Sequence, residues 1–193
     1  SPKERFPWAG SLLTMDRICV FCGSNAGHDP VYREAAAALG RELAARDIDL
    51  VFGGGGVGLM GVLAEATLEH GGSAYGVMPE GIADREQPPE GLTELYLVES
   101  MHESKQRMFD LAEGFVALPG GNGTMEEFFE MVTWSQLGFH DYPTGIVNVD
   151  DFFGDLVTFL DGATGDGFID AAHRNSIRTA EDPAALLDDF EAL

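Results

Sequence analysis

From Arg17 onward the chain alternates two hydrophobic patterns. Short apolar runs that stop at Gly or Pro predict buried strands at residues 18–22, 49–52, 74–78, 94–98, 114–118 and 145–149, with a last short one at 177–179. Between them, alanine-rich or amphipathic stretches predict helices at 31–46, 62–70, 100–112, 125–137 and 152–161, and a terminal helix from Pro183. Asp29-Pro30 supplies a helix cap and a first-turn proline, and Gly71-Gly72 stops the second helix. Residues 80–91 are polar, contain Pro88-Pro89 and read as a loop. Strand–helix alternation of this kind predicts an α/β fold: a Rossmann-like, doubly wound parallel sheet with helices on both faces. Ligands of such sheets bind beyond the carboxyl ends of the strands.

Residues 1–14 break the pattern. They hold two prolines and no period, and read as a leader, disordered or vector-derived, ahead of a single domain at 15–193 that opens on Met15. The leader carries only Lys3, Glu4 and Arg5 of the chain's charges, so the acidity belongs to the domain. The chain has 33 Asp+Glu against 11 Lys+Arg, a net charge of −22. Neither nucleic acid nor an anionic membrane is an expected partner for so negative a body. No apolar run reaches the roughly 18 residues of a membrane span. Cys19 and Cys22 lie three apart on a predicted strand, hence on opposite faces, and read as small buried hydrophobes in a reducing, cytoplasmic setting. The five histidines show no metal-ligand spacing, so no metal is expected.

Glycine accounts for 25 of 193 residues and concentrates where strands run into helices. The first cluster begins at Gly53 and includes Gly54 and Gly55. It reads either as an anion cradle or as a tight strand–helix turn without a ligand. The second is Pro119-Gly120-Gly121-Asn122-Gly123-Thr124, with Met125, Glu126 and Glu127 following. Backbone amides and the Thr124 hydroxyl there suit a monophosphate. It is no Walker loop, since no Gly-Lys-Ser/Thr follows and no lysine is at hand to neutralise a triphosphate. Glu126 and Glu127 also read as acids that favour a helix dipole. The turn after the first strand, Gly23-Ser24-Asn25, falls at the same end of the sheet and adds Ser24 as a candidate contact.

Three motifs in order, Gly53-Gly-Gly-Gly-Val-Gly-Leu-Met-Gly61, Ser100-Met-His-Glu-x-Lys105 and Pro119-Gly-Gly-x-Gly-Thr-x-Glu-Glu127, together with Thr133-Trp134-x-Gln136-Leu137-Gly138, resemble the LOG ("Lonely guy") family. These are cytokinin riboside 5′-monophosphate phosphoribohydrolases, many of them once labelled lysine decarboxylases. The likeness runs from Asp16 to Leu193. It implies hydrolysis of the N-glycosidic bond of an adenine-type nucleoside 5′-monophosphate, with no cofactor, to free base and ribose 5-phosphate. It further implies that Gly120, Gly121, Asn122, Gly123 and Thr124 hold the phosphate and that Glu127 is the catalytic carboxylate. Glu86, Lys105 and Thr133 would line the nucleotide site, in a homodimer whose site lies close to the subunit interface. The family pattern carries Arg after His-Glu, paired with the second Glu. Here that position is Ser104, and a serine supplies neither a delocalised cation nor a forked donor. Arg107, three residues on, lies on the same helical face as a possible substitute, or is a solvated surface residue. Ser104 therefore opens an alternative, a catalytically impaired nucleotide- or cofactor-binding relative. A pyridoxal-dependent decarboxylase is disfavoured, because a Schiff base needs a lysine and Lys105 is the only one after the leader.

The excess of acid over base, with lysine almost absent, is a composition that salt-rich solvent favours. Raising salt from about 0.1 M to about 1 M shortens the screening length from about 10 Å to about 3 Å. The melting temperature, followed by circular dichroism, is expected to rise by several degrees over that range. A flat or falling trend would refute a salt-adapted surface.

Overall fold

The computed structural model describes residues 15–193, so the predicted leader lies outside the described residues. Seven strands, β1 (Arg17–Phe21), β2 (Asp49–Phe52), β3 (Ala74–Pro79), β4 (Glu94–Val98), β5 (Phe115–Ala117), β6 (Thr144–Val147) and β7 (Ile177–Ala180), form one sheet. Its order is β4-β3-β2-β1-β5-β6-β7 and every pairing is parallel. The doubly wound α/β prediction is thus correct. The chain winds outward from β1 to β4, then returns to the other side of β1 with β5. The crevice beyond the carboxyl ends of β1 and β5 is the topological switch point.

Alternation along β1 sorts the core. Ile18, Val20 and Cys22 face α1 (Pro30–Ala45), α2 (Gly58–Glu69) and the C-terminal helix α8 (Pro183–Glu191). Cys19 and Phe21 face α4 (Met101–Leu111), α5 (Asn122–Gln136) and α6 (Gly154–Gly165). Both cysteines are free and buried, one on each face. The helix starts follow local chemistry. Asp29 accepts a hydrogen bond from the Val31 N–H at 3.0 Å, Ser100 from Glu103 and Asp182 from Ala185. Among the described residues no helix is long and apolar enough to cross a membrane.

The structure differs from the sequence reading at several places. Residues 80–91 do not form a plain loop, because α3 (Glu80–Glu86) opens the segment. It buries no side chain, so it carries no apolar stripe to betray it, but Glu80 in its first turn and Arg85 in its last suit the helix dipole. A second short helix, α7 (Ala171–Ser176), also buries nothing. The helix predicted from 62 begins at Gly58, and the one predicted from 125 begins at Asn122, so each glycine cluster contributes a first turn.

Helices α1 and α2 pack closely at Gly40. A methyl group there would lie 2.7 Å from the Leu63 carbonyl and 2.9 Å from the Thr67 nitrogen. Gly40→Ala gains about 1 kcal/mol of helix propensity. Forcing the helices apart costs about 1–3 kcal/mol. Chemical denaturation should therefore show a net loss of up to about 2 kcal/mol, and a stabilised variant would contradict this packing.

Candidate active site

At the switch point lies a cavity of about 600 Å³. The turn after β1 contributes Cys22, Gly23, Ser24 and Asn25, and the turn after β5 contributes Pro119 through Thr124. Helix α5 begins in that second turn. Its N-cap is Gly121, which has no side chain to cap the helix, and a Cβ at Gly121 or Gly123 would meet nothing within 4 Å. The first amides of α5 thus face open space with the positive end of the helix dipole behind them. Gly120 is demanded by packing, since a side chain there would collide with the buried Thr124 hydroxyl.

One turn into α5, Glu127 lines the same cavity. Burial pushes its pKa up to about 7, and the neighbouring Glu126, Glu86 and Glu130 charges add to the rise while Lys105 opposes it. Glu86 reaches the cavity from the end of α3. Ser104 reaches it from α4, buried, with its hydroxyl 3.4 Å from the Val77 carbonyl. Among the described residues the wall holds no Lys, Arg or His.

The sequence-predicted residues therefore divide. Ser24, Glu86, Ser104, Gly120, Gly121, Asn122, Gly123, Thr124 and Glu127 share one cavity. Gly54, Gly55, Lys105, Arg107, Met125, Glu126 and Thr133 are not in its wall. In the first glycine cluster Gly53 lines the cavity, and Gly55 and Gly56 form a seat for α3. The Gly56 N–H donates to the Glu86 carbonyl at 2.7 Å, and a Cβ on Gly55 would lie 2.8 Å from the Glu86 carboxylate. The start of α2 is already occupied, because the Leu59 N–H donates to the Gly23 carbonyl at 3.0 Å. At Gly55 and Gly56 the geometry is that of a packed turn. Arg107 points away, with its guanidinium 5.0 Å from the Tyr96 ring centroid. Lys105 is bonded to Glu126 at 2.5 Å and to Glu130. Thr133 is exposed further along α5, and Met125 packs into the core.

Sequence reasoning missed part of the wall. Met101 and Met108 both line the cavity, with Met60, Met78 and Ile82 completing an apolar portion. Their spacing with Ser104, at i, i+3 and i+7, was the available signal, since it puts all three on one face of α4. Tyr32 and Phe152, with ring centroids 5.6 Å apart, also line the cavity and carried no local signal.

The arrangement defines an α/β protein whose switch-point cavity combines an anion-receptive helix start with a near-neutral carboxyl group. A family model described as "Possible lysine decarboxylase" matches residues 60–190. Cytokinin riboside 5′-monophosphate phosphoribohydrolase LOG2 of Arabidopsis thaliana is 45% identical over 175 residues, 91% of this chain and 82% of that protein. Probable cytokinin riboside 5′-monophosphate phosphoribohydrolase LOGL9 of Oryza sativa subsp. japonica is 47% identical over 175 residues, 91% of this chain and 77% of that protein. The chain belongs to the LOG family. Similar folds include the molybdenum cofactor binding protein of Rippkaea orientalis, at TM-score 0.70 and 16% identity over 93% of this chain and 98% of that one. The molybdenum cofactor carrier protein of Chlamydomonas reinhardtii is also similar, at TM-score 0.70 and 18% identity over 92% and 98%.

Glu127 binds its proton more tightly in the folded chain than at its ordinary pKa of 4.5. Between that value and about 7 the folded state keeps a proton that the unfolded chain has released, so stability falls as pH climbs through this window. Glu127→Gln removes that penalty. Urea unfolding should show the variant gaining about 2–3 kcal/mol over the parent at pH 8, with most of the gain gone at pH 5. An equal gain at both pH values would contradict the shift.

Proposed function

We propose that this chain hydrolyses the N-glycosidic bond of adenine-type nucleoside 5′-monophosphates, releasing free base and ribose 5-phosphate. One observation carries the reading: the open start of α5 and the Glu127 carboxyl, one turn apart on one helix, face one cavity. The names of the relatives support the substrate class.

In this reading the amides of Gly121 to Thr124 and the Thr124 hydroxyl grip the phosphate. That contact is remote from the reacting bond, so its binding energy serves to place the sugar. The C1′–N bond breaks with its electron pair leaving on the base nitrogen, and positive charge grows on the ribose. Ionised Glu127 stabilises that charge and takes a proton from the water whose oxygen joins C1′. The departing base gains its proton from solvent. Glu86 and the methionine-lined part of the wall receive the base. The active unit is a homodimer in this proposal, with Leu137 and Phe139, both exposed beyond α5, as candidate contacts.

A second reading rests on Ser104. Among the described residues no cation stands in the wall where the family pattern puts an arginine, which favours a protein that binds the nucleotide and turns it over poorly or not at all.

Incubation with AMP and with isopentenyladenosine 5′-monophosphate, followed by chromatography of the free base, separates the two. Under the first reading base is released, kcat/KM rises with pH through about 7, and Glu127→Ala loses about 100-fold or more. Base release no greater than that of Glu127→Ala overturns it. Tight AMP binding without turnover, with activity gained in Ser104→Arg, establishes the second.

A further inference from the structure

Lys105 is 6% exposed, yet it does not line the cavity. It projects from α4 directly after Ser104, which does. Its ammonium is bonded to Glu126 Oε1 at 2.5 Å and to Glu130. Those carboxylates stand one residue before and three residues after Glu127 on α5, so the two ion pairs bracket the turn that presents Glu127. Burial alone would make the ammonium a weaker base, but its hydrogen bonds to Glu126 and Glu130 outweigh burial and keep it charged.

We infer that Lys105 is a positioning residue. It ties α5 to α4 on either side of Glu127 and supplies the positive charge that counters the carboxylates around it. The inference rests on the reading that Glu127 is the acting group. The groups that face Glu127 are Glu126 and Glu130 on its own helix, Glu86 from α3, Lys105 from α4, and the buried Cys19 and Cys22 thiols at β1. Of these only Lys105 is positive. Held between Glu126 and Glu130, it offsets two negative charges that would otherwise favour protonation of Glu127. The role differs from a contact with the nucleotide, which the resemblance implies for this lysine.

The test uses the full chain without ligand. The Glu127 carboxyl is followed by carbon-13 NMR against pH in the parent, in Lys105→Met and in Lys105→Arg. Lys105→Met keeps the bulk of the side chain and loses its charge, and Glu127 should then hold its proton roughly tenfold more tightly. Lys105→Arg should restore most of the parent titration. The double variant Glu126→Gln, Glu130→Gln keeps the ammonium and removes its partners, so Glu127 should release its proton more readily than in the parent. If Lys105→Met does not fold, Lys105→Gln takes its place in the same titration. An unmoved titration in either folded variant overturns the inference. In AMP hydrolysis the rising limb of the pH profile should shift to higher pH in Lys105→Met. The fall at pH 7 should lie in kcat, with KM within about threefold of the parent. A loss confined to KM would mark Lys105 as a substrate contact and overturn the inference. A parent without hydrolysis would overturn the reading of Glu127 as catalytic, while the titration would still judge the role of Lys105.

Discussion

The open first turn of α5 is the constraint around which the site is built. Four other helix starts are closed by the chain itself. Asp29, Ser100 and Asp182 cap α1, α4 and α8, and the Gly23 carbonyl takes the Leu59 amide at the start of α2. Helix α5 has Gly121 at its cap and glycine again at 123, so neither a capping side chain nor a Cβ closes the space in front of its amides. That start lies at the β1–β5 switch point, where the winding of the sheet leaves a crevice that no crossover helix covers. The topology supplies the room and the glycines leave it empty of protein.

The same helix then sets the electrostatics. An anion held at its start is stabilised by amide dipoles, whereas the wall around it offers carboxylates and no basic side chain among the described residues. A net charge of −22 adds a repulsive background for any anionic ligand. Recognition therefore depends on short-range, directional hydrogen bonds, because the long-range field works against approach. Salt weakens the background far more than it weakens contacts inside the cavity. An acidic surface and an amide-built anion site are thus compatible, provided the solvent screens the first and is excluded from the second.

Much of this was legible in the residues. Strands β2 and β4 begin and end where the apolar runs do, and the parallel order follows from strand–helix alternation. The second glycine cluster, Glu86, Ser104 and Glu127 line one cavity. What was not legible has physical causes. Helices α3 and α7 bury no side chain, so no hydrophobic period marks them, and Pro88-Pro89 made the first resemble a loop. The two glycine clusters look alike in sequence, but glycine serves equally to admit a ligand and to admit another part of the backbone. Only the position of Glu86 against Gly55 and Gly56 separates the cases. Lys105 sits beside Ser104 in the chain, yet a helix turns adjacent residues about 100° apart, so one faces the cavity and the other faces α5.

The serine at position 104 has a consequence beyond a missing contact. An arginine projecting from that point of α4 would bring a permanent positive charge to the wall that Glu127 shares, and such a charge favours the ionised carboxylate. With serine there, burial and the surrounding acids prevail over the opposing charge of Lys105, and the pKa of Glu127 is pushed up to about 7. The two arrangements ask different things of the same carboxyl group. Beside a fixed cation its ionised form is favoured. Without one it exchanges its proton with the medium in the range where cells operate. The substitution trades a site whose charge is set by covalent structure for one whose charge is set by its surroundings. The bonds from Lys105 to Glu126 and Glu130 then become the main local counterweight to protonation of Glu127.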